Sequence, residues 1–181
     1  PDSVVVHTGA PIRKVANYGG VRIDLRATLD RARIALQIDI GFGDPVTPRP
    51  QPIDYPTLLA DVPAPKLRAY PKATVVAEKL HAVSILGMTN SRMKDFFDLW
   101  VLLRDPALQG TEVRQAIEAT FTRRQTALPD TLPVGLSDTF ANDGAKQLQW
   151  RAFLRRNHLD ALELAAVLLE IRTRLQAWDF P

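Results

Sequence analysis

The chain has 181 residues, no cysteine and a net charge of +3 at neutral pH, with 46% of its residues hydrophobic. The length suits one domain with or without an extension, and the missing thiols exclude disulfides and thiolate metal sites and fit a reducing cytosol. No run of about 18 apolar residues is present, so no helical membrane span is expected. No signal peptide is visible, and the mild positive excess permits a nucleic-acid partner while being explained as well by solubility.

The opening residues run from Pro1 straight into VVVHTG, an abrupt start that points to a natural segment ahead of it. Ser3 to His7 reads as a strand, and Gly9 to Asn17 as a loop or short edge element. Two segments of strict alternation follow. In GVRIDLRATL, Val21, Ile23, Leu25, Ala27 and Leu29 face one way. In ARIALQIDIGFG, Ile34, Leu36, Ile38, Ile40 and Phe42 do the same. Period-two alternation marks half-buried strands, and Asp30-Arg31 supplies the turn of an antiparallel hairpin. Asp39 falls inside the second strand, opposite the aliphatic row and just before Gly41-Phe42-Gly43-Asp44. A carboxylate there suits a metal ion as well as it suits solvent.

Residues 44–71 are rich in proline, which removes donors and favours extended backbone. We expect a wrapping connection anchored by Ile53, Tyr55, Leu58, Leu59 and Leu67, with short strand pieces near Ile53 and Lys66-Leu67. It separates a strand-rich front, residues 1–66, from a helical back, residues 67–181.

Tyr70 to Trp100 reads as two helices joined by a Gly/Asn/Ser turn. Ala73, Val76, Ala77, Leu80 and Val83 recur at helical spacing on the first, and Met93, Phe96, Phe97, Trp100 and Val101 on the second. Pro71 suits the first turn of the first helix, and Ser91 can cap the second. Further helices are expected over Thr111–Arg124, Lys146–Arg156 and Leu159–Ala177, the last with Leu162, Ala165, Ala166, Leu169 and Leu175 among its apolar positions.

Neither GxGxxG nor GxxxxGK[ST] occurs, so the common phosphate cradles are unsupported. His7, His81 and His158 lack zinc-site spacing, and His81 reads better as a helix-surface or packing residue than as a ligand. Ser84 and Ser91 lack a base and an orienting partner. What remains is Asp39, the mid-helix Lys79 and the run RMKDFFD from Arg92 to Asp98. Carboxylates can hold Mg²⁺ against phosphate oxygens, and Lys and Arg can offset triphosphate charge. The plainer reading is a set of intrahelical ion pairs, Arg92 with Asp95 and Lys94 with Asp98, contributing about 0.2–0.5 kcal/mol each. The residues alone leave the two readings level.

The strand LQIDIGFGD, the segment YPKATVVAEKLHAV and the run NSRMKDFFDLW, in this order, resemble the AbiEii/AbiGii toxin family of nucleotidyltransferase-like proteins. The likeness covers most of residues 20–105, and AEKL with RxKDxxD is its most specific part. It implies an α+β fold: a small nucleotidyltransferase-like mixed sheet followed by a helical C-terminal region. It also implies a cytoplasmic toxin of a toxin–antitoxin pair that moves a nucleotide from an NTP to an acceptor, in some members the 3′ end of tRNA, with Mg²⁺ as cofactor. Carried over by position, Asp39 matches the third metal-side carboxylate and Lys79 the lysine near the triphosphate. Arg92, Lys94 and Asp95 match the charged positions that follow, Asp95 as a base or as the orienter of Lys79, and Asp98 completes DxxD.

One departure stands out. The family's first motif, a Gly-Gly or Gly-Ser turn followed by Asp-x-Asp or Asp-x-Glu, has no counterpart in residues 1–20, where Gly19-Gly20 leads into a strand without that pair. The expectation is a piece that binds Mg²⁺-NTP poorly and transfers nothing by itself. Lys146, Arg151, Arg155, Arg156, Arg172 and Arg174 could track an RNA backbone. A cognate antitoxin is the other expected partner. A raw sheet edge would favour homodimerisation, and a non-catalytic protein- or RNA-binding module of the same fold is the alternative to the enzyme.

Overall fold

In the structure, a computed structural model, residues 3–12, 19–43 and 46–180 are described. The chain divides into two compact units, Pro1–Asp44 and Pro45–Pro181. The architecture is α+β, with small antiparallel sheets first and helices after them.

The first unit is a three-stranded antiparallel sheet in the order β1-β2-β3, with β1 Ser3–Pro11, β2 Gly20–Leu29 and β3 Ala32–Gly41. The predicted hairpin forms, and Asp30 takes the left-handed conformation at its turn (φ 50°), one that Asp tolerates better than most side chains. Val21 faces Ile40, Ile23 faces Ile38 and Leu25 faces Leu36, so the aliphatic rows share one side. Arg22, Asp24 and Arg26 lie on the other side with Asp39 and Gln37, because successive side chains alternate between the faces of a strand. β1 runs further than the sequence suggested, to Pro11, with a register shift between Val6 and Thr8. Most of the expected loop, residues 13–17, lies outside the described residues.

The second unit begins with the proline-rich segment. Its two strand pieces, β4 Gln51–Asp54 and β5 Lys66–Ala69, pair with each other antiparallel. The side chains expected to anchor it do not. Ile53, Tyr55, Leu58, Leu59 and Leu67 are all exposed, and the segment is tied instead through Thr74, whose hydroxyl donates to the Thr47 carbonyl (2.8 Å). A hydroxyl–carbonyl bond does what periodicity could not reveal, since a ribbon so short has no buried face.

The helices are α1 Lys72–Leu86, α2 Met93–Leu103, α3 Gly110–Arg123, α4 Asp138–Asn142, α5 Gly144–Arg156 and α6 Leu164–Gln176. α1 is the hub. Ala73, Val76, Ala77, Leu80 and Val83 are all buried, as their spacing predicts. α2 adds Met93, Phe96, Leu99 and Leu103 to the same core, α3 adds Val113, Ala116, Ile117 and Phe121, and Phe96 meets Phe140 of α4 at 5.0 Å between ring centres. Two faces are turned from expectation. Val101 on α2 is exposed, and α6 buries Leu164, Val167, Leu168, Ile171 and Leu175 while Leu169, Ala165 and Ala166 face outward. α6 starts later than predicted, at Leu164 rather than Leu159, and the row that packs inward, Leu164, Val167, Leu168, Ile171 and Leu175, shares only Leu175 with the expected positions. α4 was not anticipated; at five residues it is too short to show a period.

Gly135, in the 3-10 turn Val134–Leu136, lies where a β-carbon would stand 2.6 Å from the Val83 carbonyl oxygen of α1. The obstacle is backbone and cannot rotate away. Gly135→Ala should therefore destabilise the protein by about 1–3 kcal/mol, the usual range for overpacking a filled core. The lowered urea midpoint of the variant, at unchanged slope, is the measurement that checks it.

Candidate functional site

The helical cluster forms because α1 and α2 pack through their apolar stripes and bring Lys79, just off the α1 stripe, beside the first turns of α2. The Lys79 ammonium lies 3.0 Å from Asp95 Oδ1 and 2.6 Å from Asp98 Oδ2. Asp95 and Asp98 are three residues apart and so project from one face. On the solvent side Arg92 Nε is 2.7 Å from Asp95 Oδ2, and Lys94 Nζ is 2.5 Å from Asp98 Oδ2. Both intrahelical pairs anticipated from spacing exist, but they do not exhaust the carboxylates, because Lys79 reaches both from another helix. Lys79, Arg92, Lys94, Asp95 and Asp98 are thus brought together.

Burial separates their roles. The Asp95 side chain is 3% exposed and that of Lys79 16%, whereas Arg92 and Lys94 are 61% and 71% exposed. The inner pair forms a fixed base, and the outer two cations can move. Asp95 Oδ2 accepts no hydrogen bond, since the nearby Arg92 Nε is not aligned for one. Burial works against the Lys79 charge, but hydrogen bonds from Lys79 to Asp98 and Asp95 outweigh it and hold its pKa above the ordinary lysine value. Asp98, likewise opposed by burial, is held below the ordinary carboxylate value by Lys79 and Lys94. Both are therefore charged across the neutral range. Lys79 is a cation that can meet phosphate oxygens, and it is no base.

Asp39 belongs to the sheet unit. It sits on the polar face, as its alternation predicts, directly across from Arg22. The guanidinium grips both carboxylate oxygens, with Nε to Oδ1 at 2.7 Å and Nη2 to Oδ2 at 2.8 Å, and these bonds hold the carboxyl below its usual range. Among the described residues no group of three or more His, Asp or Glu side chains could hold a metal ion. A carboxylate with both oxygens committed to a guanidinium, and no cluster beside it, does not fit Mg²⁺ as it stands.

Three residues take roles that motif and spacing do not show. Arg22 is the first. Asn90 is the second: fully buried, it accepts the Arg92 backbone N–H on Oδ1 at 2.8 Å, so Asn90 and not Ser91 orders the entry to α2. The α2 N-cap itself, Arg92, makes no side-chain capping bond. Lys146 of α5 is the third. Its ammonium is buried and donates to the Asn90 carbonyl at 2.9 Å, which removes it from the cations proposed to track RNA. Arg172 is also engaged, with Asp138 at 2.8 Å. Arg151, Arg155, Arg156 and Arg174 remain exposed. His81 is a packing residue: Nδ1 accepts from Arg124 at 3.0 Å, Nε2 meets the Thr126 hydroxyl at 2.9 Å, and the ring stands edge-on to Phe121.

Burial, with the Arg124 charge, pushes the His81 pKa down to about 4. The unfolded chain takes up this proton near the ordinary value of about 6.5 while the folded chain resists it. The His81 contribution to stability is therefore complete above that value and falls away as the pH drops towards 4. His81→Phe should flatten that part of the stability–pH curve measured by chemical unfolding. Lys79→Met should instead cost about 3 kcal/mol at neutral pH, since it removes the inner cation shared by two carboxylates and leaves each only an exposed one, and much of that loss should disappear at a pH low enough to protonate Asp98.

The family model described as nucleotidyl transferase AbiEii toxin, type IV toxin–antitoxin system, matches residues 2–179. Comparison with curated proteins and with solved structures returns no match.

Proposed function

From the premise that this chain belongs to the AbiEii nucleotidyl transferase toxin family, we propose that its α1–α2 cluster binds the polyphosphate of an NTP, for transfer of a nucleotide to an acceptor such as tRNA. The observation that carries this reading is the Lys79 ammonium, fixed between Asp95 and Asp98 and flanked by the exposed cations of Arg92 and Lys94. Lys79 supplies a cation that needs no reorganisation when phosphate arrives, which is the economical way to stabilise developing charge. Arg92 and Lys94 can leave their partners for phosphate oxygens, because exposed pairs are weak. Asp95 orients Lys79, and Asp98 balances Lys79 and Lys94. As a toxin-family member the protein has a cognate antitoxin as its expected partner. No helix among the described residues is long and apolar enough to cross a membrane.

A second reading, a non-catalytic module of the same fold that binds a protein or RNA, is favoured by one observation: Arg22 closes the Asp39 carboxylate. A metal role for Asp39 would require that guanidinium to leave. The two readings part in one experiment, incubation of the protein with each labelled NTP and tRNA, with NTP retention and RNA labelling scored separately. Retention that Lys79→Met reduces by about tenfold, the worth of one charge-assisted contact, supports the polyphosphate site. Labelling of the RNA supports the enzyme, and retention without labelling supports the module. No retention of any NTP by the wild-type chain sinks the proposal.

A further inference from the structure

Resting on the polyphosphate reading of α1–α2, we propose that Lys146 is a positioning residue for that site: through Asn90 it sets the turn from which Arg92 and Asp95 project. The Lys146 residue is 6% exposed, and its ammonium has no carboxylate partner among the described residues. It donates to the Asn90 carbonyl at 2.9 Å and stands 5.3 Å from the centre of the Phe140 ring. Burying a cation with so little compensation is unfavourable, and an apolar side chain of similar length would fill the space without that cost. The charge therefore needs a reason beyond packing.

The reason lies one bond away. Asn90 is fully buried, its N–H donates to Gly87 (3.1 Å), and its Oδ1 accepts from the Arg92 N–H (2.8 Å). The Arg92 carbonyl in turn accepts from the Asp95 N–H at 2.9 Å. A chain of hydrogen bonds thus runs from α5 to the backbone of Asp95, whose carboxylate holds Lys79. Lys146 is itself fixed at the start of α5, where its N–H donates to the Asp143 cap at 2.9 Å. Supporting bonds of this kind decide whether charged groups are held in place or wander. The other bonds of the α1–α2 turn are local, the Thr89 hydroxyl to the Leu86 carbonyl (2.7 Å) and the Met93 N–H to the Ser91 carbonyl (3.0 Å), and Met88, Thr89, Ser91 and Arg92 are exposed, so Lys146 supplies the turn's tie to α5.

The test compares wild type with Lys146→Met by amide hydrogen exchange and by titration with inorganic tripolyphosphate. Because the chain has no cysteine, Lys146→Cys can also be aminoethylated while denatured and then refolded, which restores an ammonium at nearly lysine length. The expected result is exchange at Arg92 and Asp95 faster by about tenfold in Lys146→Met while the α3 amides stay protected, and tripolyphosphate affinity lower by a similar factor, as for loss of a bond to a charged donor. Aminoethylated Lys146→Cys should recover both. If exchange at Arg92 and Asp95 keeps pace with α3 and affinity is unchanged, the proposal is overturned. Should Lys146→Met not fold, the cysteine variant before and after aminoethylation decides. If that variant folds only when aminoethylated, Lys146 supports the fold as a whole, and the positioning role falls. If wild type does not bind tripolyphosphate, the polyphosphate reading fails, while exchange at Arg92 and Asp95 still decides whether Lys146 sets the turn.

Discussion

A lysine held between two carboxylates of a neighbouring helix is the contact around which the charged cluster of the helical unit is built. Lys79 cannot approach Asp95 and Asp98 unless α1 and α2 are packed, and they pack because both carry apolar stripes that end beside those charges. The arrangement is costly to assemble and stiff once made. Taking Asp95 to 3% exposure removes hydration, a loss that close cations offset. Arg92 and Lys94 lie outside that base and can exchange partners. A buried fixed charge below and mobile exposed charges above is a sound design for receiving a multiply charged anion. On the polyphosphate reading, the desolvation cost is met in folding, and the anion would meet a Lys79 already in place.

Much of this was legible in the sequence, for reasons that differ by element. The β2–β3 hairpin was written in its alternation, and α1 in the spacing of Ala73, Val76, Ala77, Leu80 and Val83, because one face of each is apolar throughout. Helical spacing also gave the Arg92–Asp95 and Lys94–Asp98 pairs. It could not give Lys79 with Asp95, which needs the angle and register of two helices. The resemblance brought those residues together by position, and the geometry explains how they meet.

The failures have physical causes as well. The proline-rich segment was expected to bury Tyr55 and Leu58, but a short two-stranded ribbon offers no second layer to receive them. Ser91 was favoured as a cap because serine caps are common, whereas the backbone places Asn90 within reach of the Arg92 N–H. Lys146 shares the basic later helices with surface cations, and only its packing against Asn90 and Phe140 sets it apart. Arg22 is the instructive omission. A two-residue turn at Asp30-Arg31 sets Arg22 opposite Asp39 by register alone, so the guanidinium that grips the supposed metal ligand could have been found without coordinates.

All three tryptophans, Trp100, Trp150 and Trp178, lie in the unit that begins at Pro45. Trp150 is buried with its indole N–H on the Leu162 carbonyl, and Trp100 carries the Arg104 guanidinium over its ring. Tryptophan emission of this protein, excited to the red of tyrosine absorption, therefore originates in the helical unit alone. Set beside far-ultraviolet dichroism, which registers every peptide group, it separates the melting of one unit from that of the other without a label.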